Sequence, residues 1–263
     1  MNTSQQLKKN YHFIKYQKLI VVSVLIGFSS TLLAIILKRI TEHYETILLI
    51  KAKEHWFYLF LFPLLGLGMI YFFRQYLFQK KENKGIREIF ETTAQRRNSL
   101  PIYKIPSHFI NGFITVIFGG STGIEVSTVV ATATIGSIAQ EKENLFNRHK
   151  TELICAGVAA GITALFFSPF AGILFAWEVI SKKINAVFLL VCSIATAVAC
   201  LMLSLLDEKP LFTVQLQGWH WYALPYFILL GLLVGMHSVY LTKCVLFFKK
   251  RFTKIKNTAT VFL

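Results

Sequence analysis

Two stretches constrain this chain more than any others. Val21–Leu37 (VVSVLIGFSSTLLAIIL) and Phe57–Phe73 (FYLFLFPLLGLGMIYFF) contain no charged residue. Each approaches the roughly 20 residues that cross the hydrocarbon core of a bilayer as a helix. Inside a bilayer no water satisfies backbone N–H and C=O groups, and a helix pairs them within its own segment. The first run follows a basic, polar lead, is too long for the apolar part of a cleavable signal, and is not followed by a small-residue cleavage site. The runs therefore predict an all-α integral membrane protein. Composition agrees: 54% of the 263 residues are hydrophobic and 16% charged, against about a quarter charged in soluble domains.

The formal net charge of +15 raises nucleic acid as a partner, but the basic residues fall between the apolar runs, where a membrane protein keeps its cytoplasmic positive charge. With the amino terminus in the cytoplasm, about 23 of the 28 Lys and Arg lie inside. Only Lys38, Arg39, Lys51, Lys53 and Lys209 fall outside. The lipid bilayer is the expected partner, nucleic acid is not, and the expected location is a cell membrane, of the bacterial inner-membrane kind. The four cysteines, Cys155, Cys192, Cys200 and Cys244, lie in apolar runs without metal-ligand spacing. No metal and no cofactor is expected. Nor is an enzyme: no spacing joins Ser121, Ser127 or Ser168 to His108 or His237 as a nucleophile and its base.

The chain divides into a basic cytoplasmic lead (1–18), a transmembrane region (19–250) and a short basic tail (251–263). Spans are predicted at about 19–41, 55–78, 185–206 and 221–250. Between them lie shorter apolar segments that Gly or Pro interrupts, including GIREIFETTA from Gly85, the segment ending near Phe118, a segment over about 124–139, and LICAGVAAGITALFF and PFAGILFAWEVI on either side of Ser168-Pro169. Segments this short are tolerated in a membrane only where protein or a water-filled cavity surrounds the broken backbone. Tilted, partly re-entrant helices are therefore expected. Where such interrupted helices begin, free N–H groups and a positive dipole end are available to ions.

Three motifs carry the chemistry. In GGSTGIEVSTVV (119–130) glycines precede a predicted helix start, and Glu125 falls in its first turn. An anion is stabilised there. Glu125 is itself a tethered anion for which a mobile anion competes, which makes a gate without moving a helix. The plainer reading is a carboxylate complementing the helix dipole. In NKGIREI (83–89) Gly85 again opens a helix, and Lys84 precedes it. A lysine beside free N–H groups attracts anions, although it also fits ordinary cytoplasmic charge. In AGVAAGITALFFSPFAGILFAWEVI (156–180) small residues suit close helix packing. Glu178, near its end, is the notable charge; the plainer reading is an interfacial carboxylate paired with Lys182 one turn on.

These motifs, in this order, resemble the CLC family of chloride channels and proton-coupled anion transporters. The resemblance covers about residues 19–250 and implies the fold of the first of the two inverted halves that build a family subunit. Carried over, Glu125 takes the gating-glutamate position, Gly123 and Ile124 line the outer part of the pathway, and Gly85 and Ile86 match the first filter motif. Lys84 stands where the family has the serine that contacts the central anion, Asn83 where it has glycine, and Arg87 where it has proline. Val126 and Ser127 replace a Gly-Pro pair. The resemblance implies chloride or another small anion as the transported species.

Proton-coupled members resemble one another in a second, internal glutamate. Its position here is Val179, with Glu178 one residue earlier. A valine relays no proton, so the expectation is a passive anion channel, with Glu178 as the possible proton path if the chain is instead a proton-coupled chloride antiporter. No second filter motif is visible after about residue 221. The chain is therefore expected to be a partial or truncated subunit, with a non-conducting remnant as the third reading. The resemblance implies a homodimer for a full-length subunit.

Overall fold

The computed structural model describes residues 3–78, 85–95, 99–120, 124–142, 149–210, 218 and 220–255. Among them there are helices and no strand. Four helical stretches are long and apolar enough to cross a membrane: Tyr16–Glu54, Tyr58–Leu77, Ala186–Leu205 and Trp221–Phe248. The all-α membrane architecture read from the sequence is thus what the chain adopts.

The helices are α1 (Thr3–Glu54), α2 (Tyr58–Phe72), α3 (Ile86–Gln95), α4 (Lys104–Ile117), α5 (Glu125–Lys142), α6 (Lys150–Phe166), α7 (Pro169–Phe175), α8 (Ala186–Leu205) and α9 (Leu224–Ile255). The α2 helix runs on into a π-helical stretch, Phe73–Leu77, and α7 into another, Ala176–Ser181. Backbone contacts divide the chain into Met1–Thr213 and Val214–Leu263. The second unit holds α9, entered through a short 3₁₀ turn, Trp221–Ala223.

The first helix is longer than the span expected at about 19–41. One helix of 52 residues runs from Thr3 to Glu54. Lys38 and Arg39, expected on the outer side, find partners without breaking it. The ammonium of Lys38, a residue only 3% exposed, donates to the Lys209 carbonyl and lies 3.7 Å from a Glu208 carboxylate oxygen. The Arg39 guanidinium pairs with the same carboxylate and donates to the Leu206 carbonyl at 3.4 Å. These two side chains neutralise Glu208 and satisfy carbonyls just past the end of α8, as cations at a helix C-terminus do.

The core of the first unit is built around α6, whose side chains from Glu152 to Leu165 are all buried. It is enclosed by α1, α5, α7 and α8. The approach is close because glycines stand at the contacts. A methyl at Gly157 would come within 2.3 Å of the Thr132 carbonyl oxygen on α5, and one at Gly136 within 2.3 Å of the Leu153 carbonyl oxygen on α6. On the other side of α6, a methyl at Gly172 of α7 would lie 2.4 Å from the Ala159 carbonyl oxygen. The small-residue stripe thus does what its composition predicts. Asn185 caps α8 by accepting from the Phe188 amide at 2.6 Å and donates to the Glu152 carboxylate at 2.9 Å, fixing the start of α8 beside the start of α6.

Candidate functional site

The glycine turn after α4 is a tight helix stop. Gly119 has φ +85°, its amide donates to the Val116 carbonyl at 2.9 Å, and the Gly120 amide reaches back to the Thr115 carbonyl at 2.7 Å. This crossed pair of bonds ends a helix in the left-handed conformation that glycine adopts without strain. Gly120 is required for space as well, since a methyl there would sit 2.5 Å from the Thr115 methyl. Gly123, expected to line the pathway, lies outside the described residues, as does Lys84.

Ile124 follows, buried with Leu37 and Leu165 and flanked by Phe109, Phe113, Val116 and Phe166. Its carbonyl accepts the Thr128 amide at 2.9 Å, and α5 starts at Glu125. The amides of Glu125, Val126 and Ser127 therefore precede the first intrahelical bond. Burial of Ile124 anchors this start, while Glu125 beside it remains half-buried and Val126 exposed.

The second expected start is beside the first. Gly85 has φ +61° and its carbonyl accepts the Glu88 amide at 3.2 Å, so α3 begins one residue later, at Ile86. A methyl built on Gly85 would lie 3.9 Å from Val126 Cγ1. Ile86 packs against the core cluster that contains Val129 and Val130 of α5. Gly85 and Val126, far apart in sequence, are neighbours in space, so the start of α3 lies beside the first turn of α5.

What holds α3 there was not read from the sequence. Lys104, the first residue of α4, is completely buried and its ammonium pairs with the Glu88 carboxylate in the first turn of α3. It also lies 5.4 Å from the centre of the Tyr103 ring. Farther along α4, His108 and Asn111 carry buried polar atoms. The signal available in the sequence was the spacing of Lys104, His108 and Asn111, one face of a helix.

The Ser168-Pro169 break is where it was expected. Phe167 is left-handed at φ 57°, Ser168 is extended, its hydroxyl accepts from the Ala171 amide at 3.4 Å, and Pro169 takes the first helical position. Glu178 lies in the π-helical stretch and is exposed, whereas Val179 packs against the core. The pair with Lys182 that the plainer reading offered is not formed. Lys182 ends the stretch in a left-handed conformation, and its ammonium lies 5.4 Å from the centre of the Phe90 ring on α3. The widened turn shifts side-chain positions from the ordinary helical spacing, and the left-handed Lys182 leaves the helical face on which the pair was counted. Among the described residues no group of three or more His, Cys, Asp or Glu is arranged to hold a metal ion.

The chain is similar to known proteins. A chloride/fluoride channel protein of Pseudomonas syringae pv. tomato (strain ATCC BAA-871 / DC3000) is 26% identical over 186 residues, which are 68% of this chain and 37% of that protein. A probable chloride channel protein of Mycosarcoma maydis is 26% identical over 139 residues, 49% of this chain and 12% of that protein. This chain therefore matches well under half the length of these relatives. The crystal structure of a CLC-type fluoride/proton antiporter superposes with a TM-score of 0.75 at 24% identity, covering 92% of this chain and 60% of that one. That likeness establishes the fold. The family profile described as voltage gated chloride channel matches residues 66–263, and the chain belongs to that family.

Proposed function

We propose that the chain forms part of a membrane pathway for a small anion, chloride in the first instance, and that the Glu125 carboxylate gates passive conduction through it. The observation that carries this reading is the nearness of Gly85 to Val126, where a methyl built on Gly85 would lie 3.9 Å from Val126 Cγ1. The start of α3 beside the start of α5 supports a shared anion site for their free N–H donors, with Glu125 in the first turn of α5. Donors of this kind stabilise an anion, and a carboxylate tethered among them competes with a mobile one. Membrane insertion follows from the apolar helices, and the proposed orientation has the amino terminus in the cytoplasm. A homodimer is the proposed assembly of the full-length protein.

The named relatives handle chloride or fluoride, and both ions are to be compared here. Lys84 stands in the filter motif where a neutral residue is usual, and its ammonium strengthens anion binding at that position. Val179 carries no ionisable group, and Glu178 is exposed, which supports conduction over exchange.

The test is anion flux into proteoliposomes containing the full-length protein. Replacing Glu125 by Gln or Ala removes the tethered anion and is expected to raise chloride flux by on the order of tenfold, equivalent to about 1.4 kcal/mol of lost competition. Flux indifferent to both substitutions sinks Glu125 as the gate. Proton movement recorded in the same vesicles separates conduction from exchange: uphill proton transport driven by a chloride gradient replaces this reading with antiport. Glu178→Gln is expected to leave flux within about twofold, since an exposed carboxylate contributes little in a high-dielectric setting.

A further inference from the structure

Little of the surface of α2 is covered by the rest of the chain: of its residues only Gly66 is buried. Its close approach to α4 is at that glycine. A methyl at Gly66 would lie 2.7 Å from Phe118 Cβ, and the Phe62 and Phe118 rings meet edge-on at 6.2 Å. Beside this contact a cavity of about 210 Å³ remains between the two helices. Gly66 and Ile114, both buried, form its floor, and Pro63, Leu67 and Gly120, all exposed, form its rim.

The cavity does not suit water. Among the described residues that line it, Thr115 has the one polar side chain, and that hydroxyl already donates to the Asn111 carbonyl at 2.6 Å. The Gly120 amide is spent on the Thr115 carbonyl at 2.7 Å. A water held inside a protein needs several polar partners, whereas an apolar cavity of about 150 Å³ stays dry and takes an apolar guest. This cavity is larger and open at its rim.

Depth decides the guest. The helix and its π-helical continuation run for 20 residues, Tyr58–Leu77, or about 30 Å, the thickness of the hydrocarbon core. The wall from Pro63 to Ile70 lies roughly 7–18 Å along that length. The rim therefore opens at the level of hydrocarbon, away from water and headgroups, and what the bilayer offers there is acyl chains. Lipid tails are as apolar as the lining, so the gain on entry is one of packing: Ile114 and Phe118 recover dispersion contacts that an empty groove forfeits.

We propose that an acyl chain of a bilayer phospholipid is seated between α2 and α4, against Ile114, Phe118 and the glycine turn that ends α4. Such a site requires the membrane setting and not the transport of an anion.

The test uses the full-length protein in phosphatidylcholine vesicles, with part of the lipid carrying a photoactivated carbene precursor at the middle of one acyl chain. Illumination followed by peptide mapping reads where the chain inserts. Leu64 and Leu65 of α2, 68% and 46% exposed, take label from bulk lipid in any case. Ile114 is only 3% exposed and takes label only from a chain that enters the groove. Label at Ile114 is the expected result. Leu67→Trp sets a larger side chain at the rim, at a residue 58% exposed. It is expected to cut the Ile114 label severalfold, with the Leu64 label and the thermal unfolding midpoint unchanged. A wild type labelled at Leu64 and Leu65 but not at Ile114 or Thr115 overturns the proposal, whether the groove is then empty or covered by another protein segment. So does an Ile114 label that Leu67→Trp leaves at its wild-type level. The functional reading fails separately, if flux is indifferent to Glu125.

Discussion

Two ends of the α5 environment are built on opposite rules. Along its middle, α5 meets α6 with no spare space. Gly136, Gly157 and Gly161 are there because any side chain would meet backbone or a buried threonine, at 2.3 Å for the first two and 2.8 Å for the third. At its start, α5 meets Gly85, where an added methyl would find its first neighbour at 3.9 Å, an ordinary contact. Gly85 is there for its positive φ. The same residue type closes one region and leaves the other open. A closed middle fixes the position of the helix, and an open start leaves free N–H groups where an ion can approach. Stability and transport are therefore expected to separate between the two regions.

The largest effect is expected from violating the closed region. Gly157→Leu forces a branched side chain against the Thr132 carbonyl and is expected to prevent recovery of folded protein from membranes. Even Gly157→Ala must push two helices apart, at a cost of about 2–3 kcal/mol, the upper part of the range for overpacking. Thermal unfolding of the purified protein reads both. An alanine variant with an unchanged midpoint would mean that the helices part easily and that the contrast with the open region is false.

Next in size is the link between the regions. Lys104→Met leaves the Glu88 carboxylate without its buried partner, which costs about 3 kcal/mol where one member of a buried pair is removed. The double variant Lys104→Met with Glu88→Leu removes both charges and is expected to recover most of the loss. If it recovers stability while flux stays low, the pair serves to place α3 beside α5. If the double variant is no better than the single one, the ion pair is not what holds α3.

How far this division could be read in advance follows from where each signal lies. The Gly85 start, the Ser168-Pro169 break and the tight packing of the 156–180 stretch are local in the sequence, and the structure has all three. The 52-residue α1 was not legible, because the groups that satisfy Lys38 and Arg39 are near residue 208. The Lys104–Glu88 pair was missed for the same reason at shorter range: each residue reads as cytoplasmic charge until α3 and α4 are folded together. The plainer reading of Glu178 failed on the period itself. Its pairing with Lys182 assumes an α-helical turn, and the chain there is π-helical and ends left-handed at Lys182. The adjacency of Gly85 and Val126 could not be counted out along the sequence.

A smaller stability effect is expected in the open region. Gly85→Ala meets no atom closer than 3.9 Å, so its cost is that of a left-handed conformation for a residue with a Cβ, about 1 kcal/mol. Anion flux is expected to fall by more than this cost suggests, because relaxing φ at Gly85 turns the first N–H groups of α3 away from the start of α5. A variant that loses stability without losing flux would show that the α3 start does not face the anion.

The smallest effect probes the closed region from its far side. Gly172 of α7 packs against α6, where a methyl would meet the Ala159 carbonyl at 2.4 Å and the Thr163 hydroxyl at 2.5 Å. Ser168 caps the same helix, but its bond to the Ala171 amide is long, at 3.4 Å, and Pro169 already fixes the backbone of the first helical position. Ser168→Ala is therefore expected to cost about 0.5 kcal/mol, the low end for loss of a cap, with no change in flux. Gly172→Ala should cost several times more, by the overpacking that applies at Gly157. Comparing the two in one thermal-unfolding series asks whether contact or capping positions α7. A Ser168→Ala loss equal to that of Gly172→Ala would place the cap on a par with the glycine contact, and the closed region would then depend on its helix ends as well as on its packing.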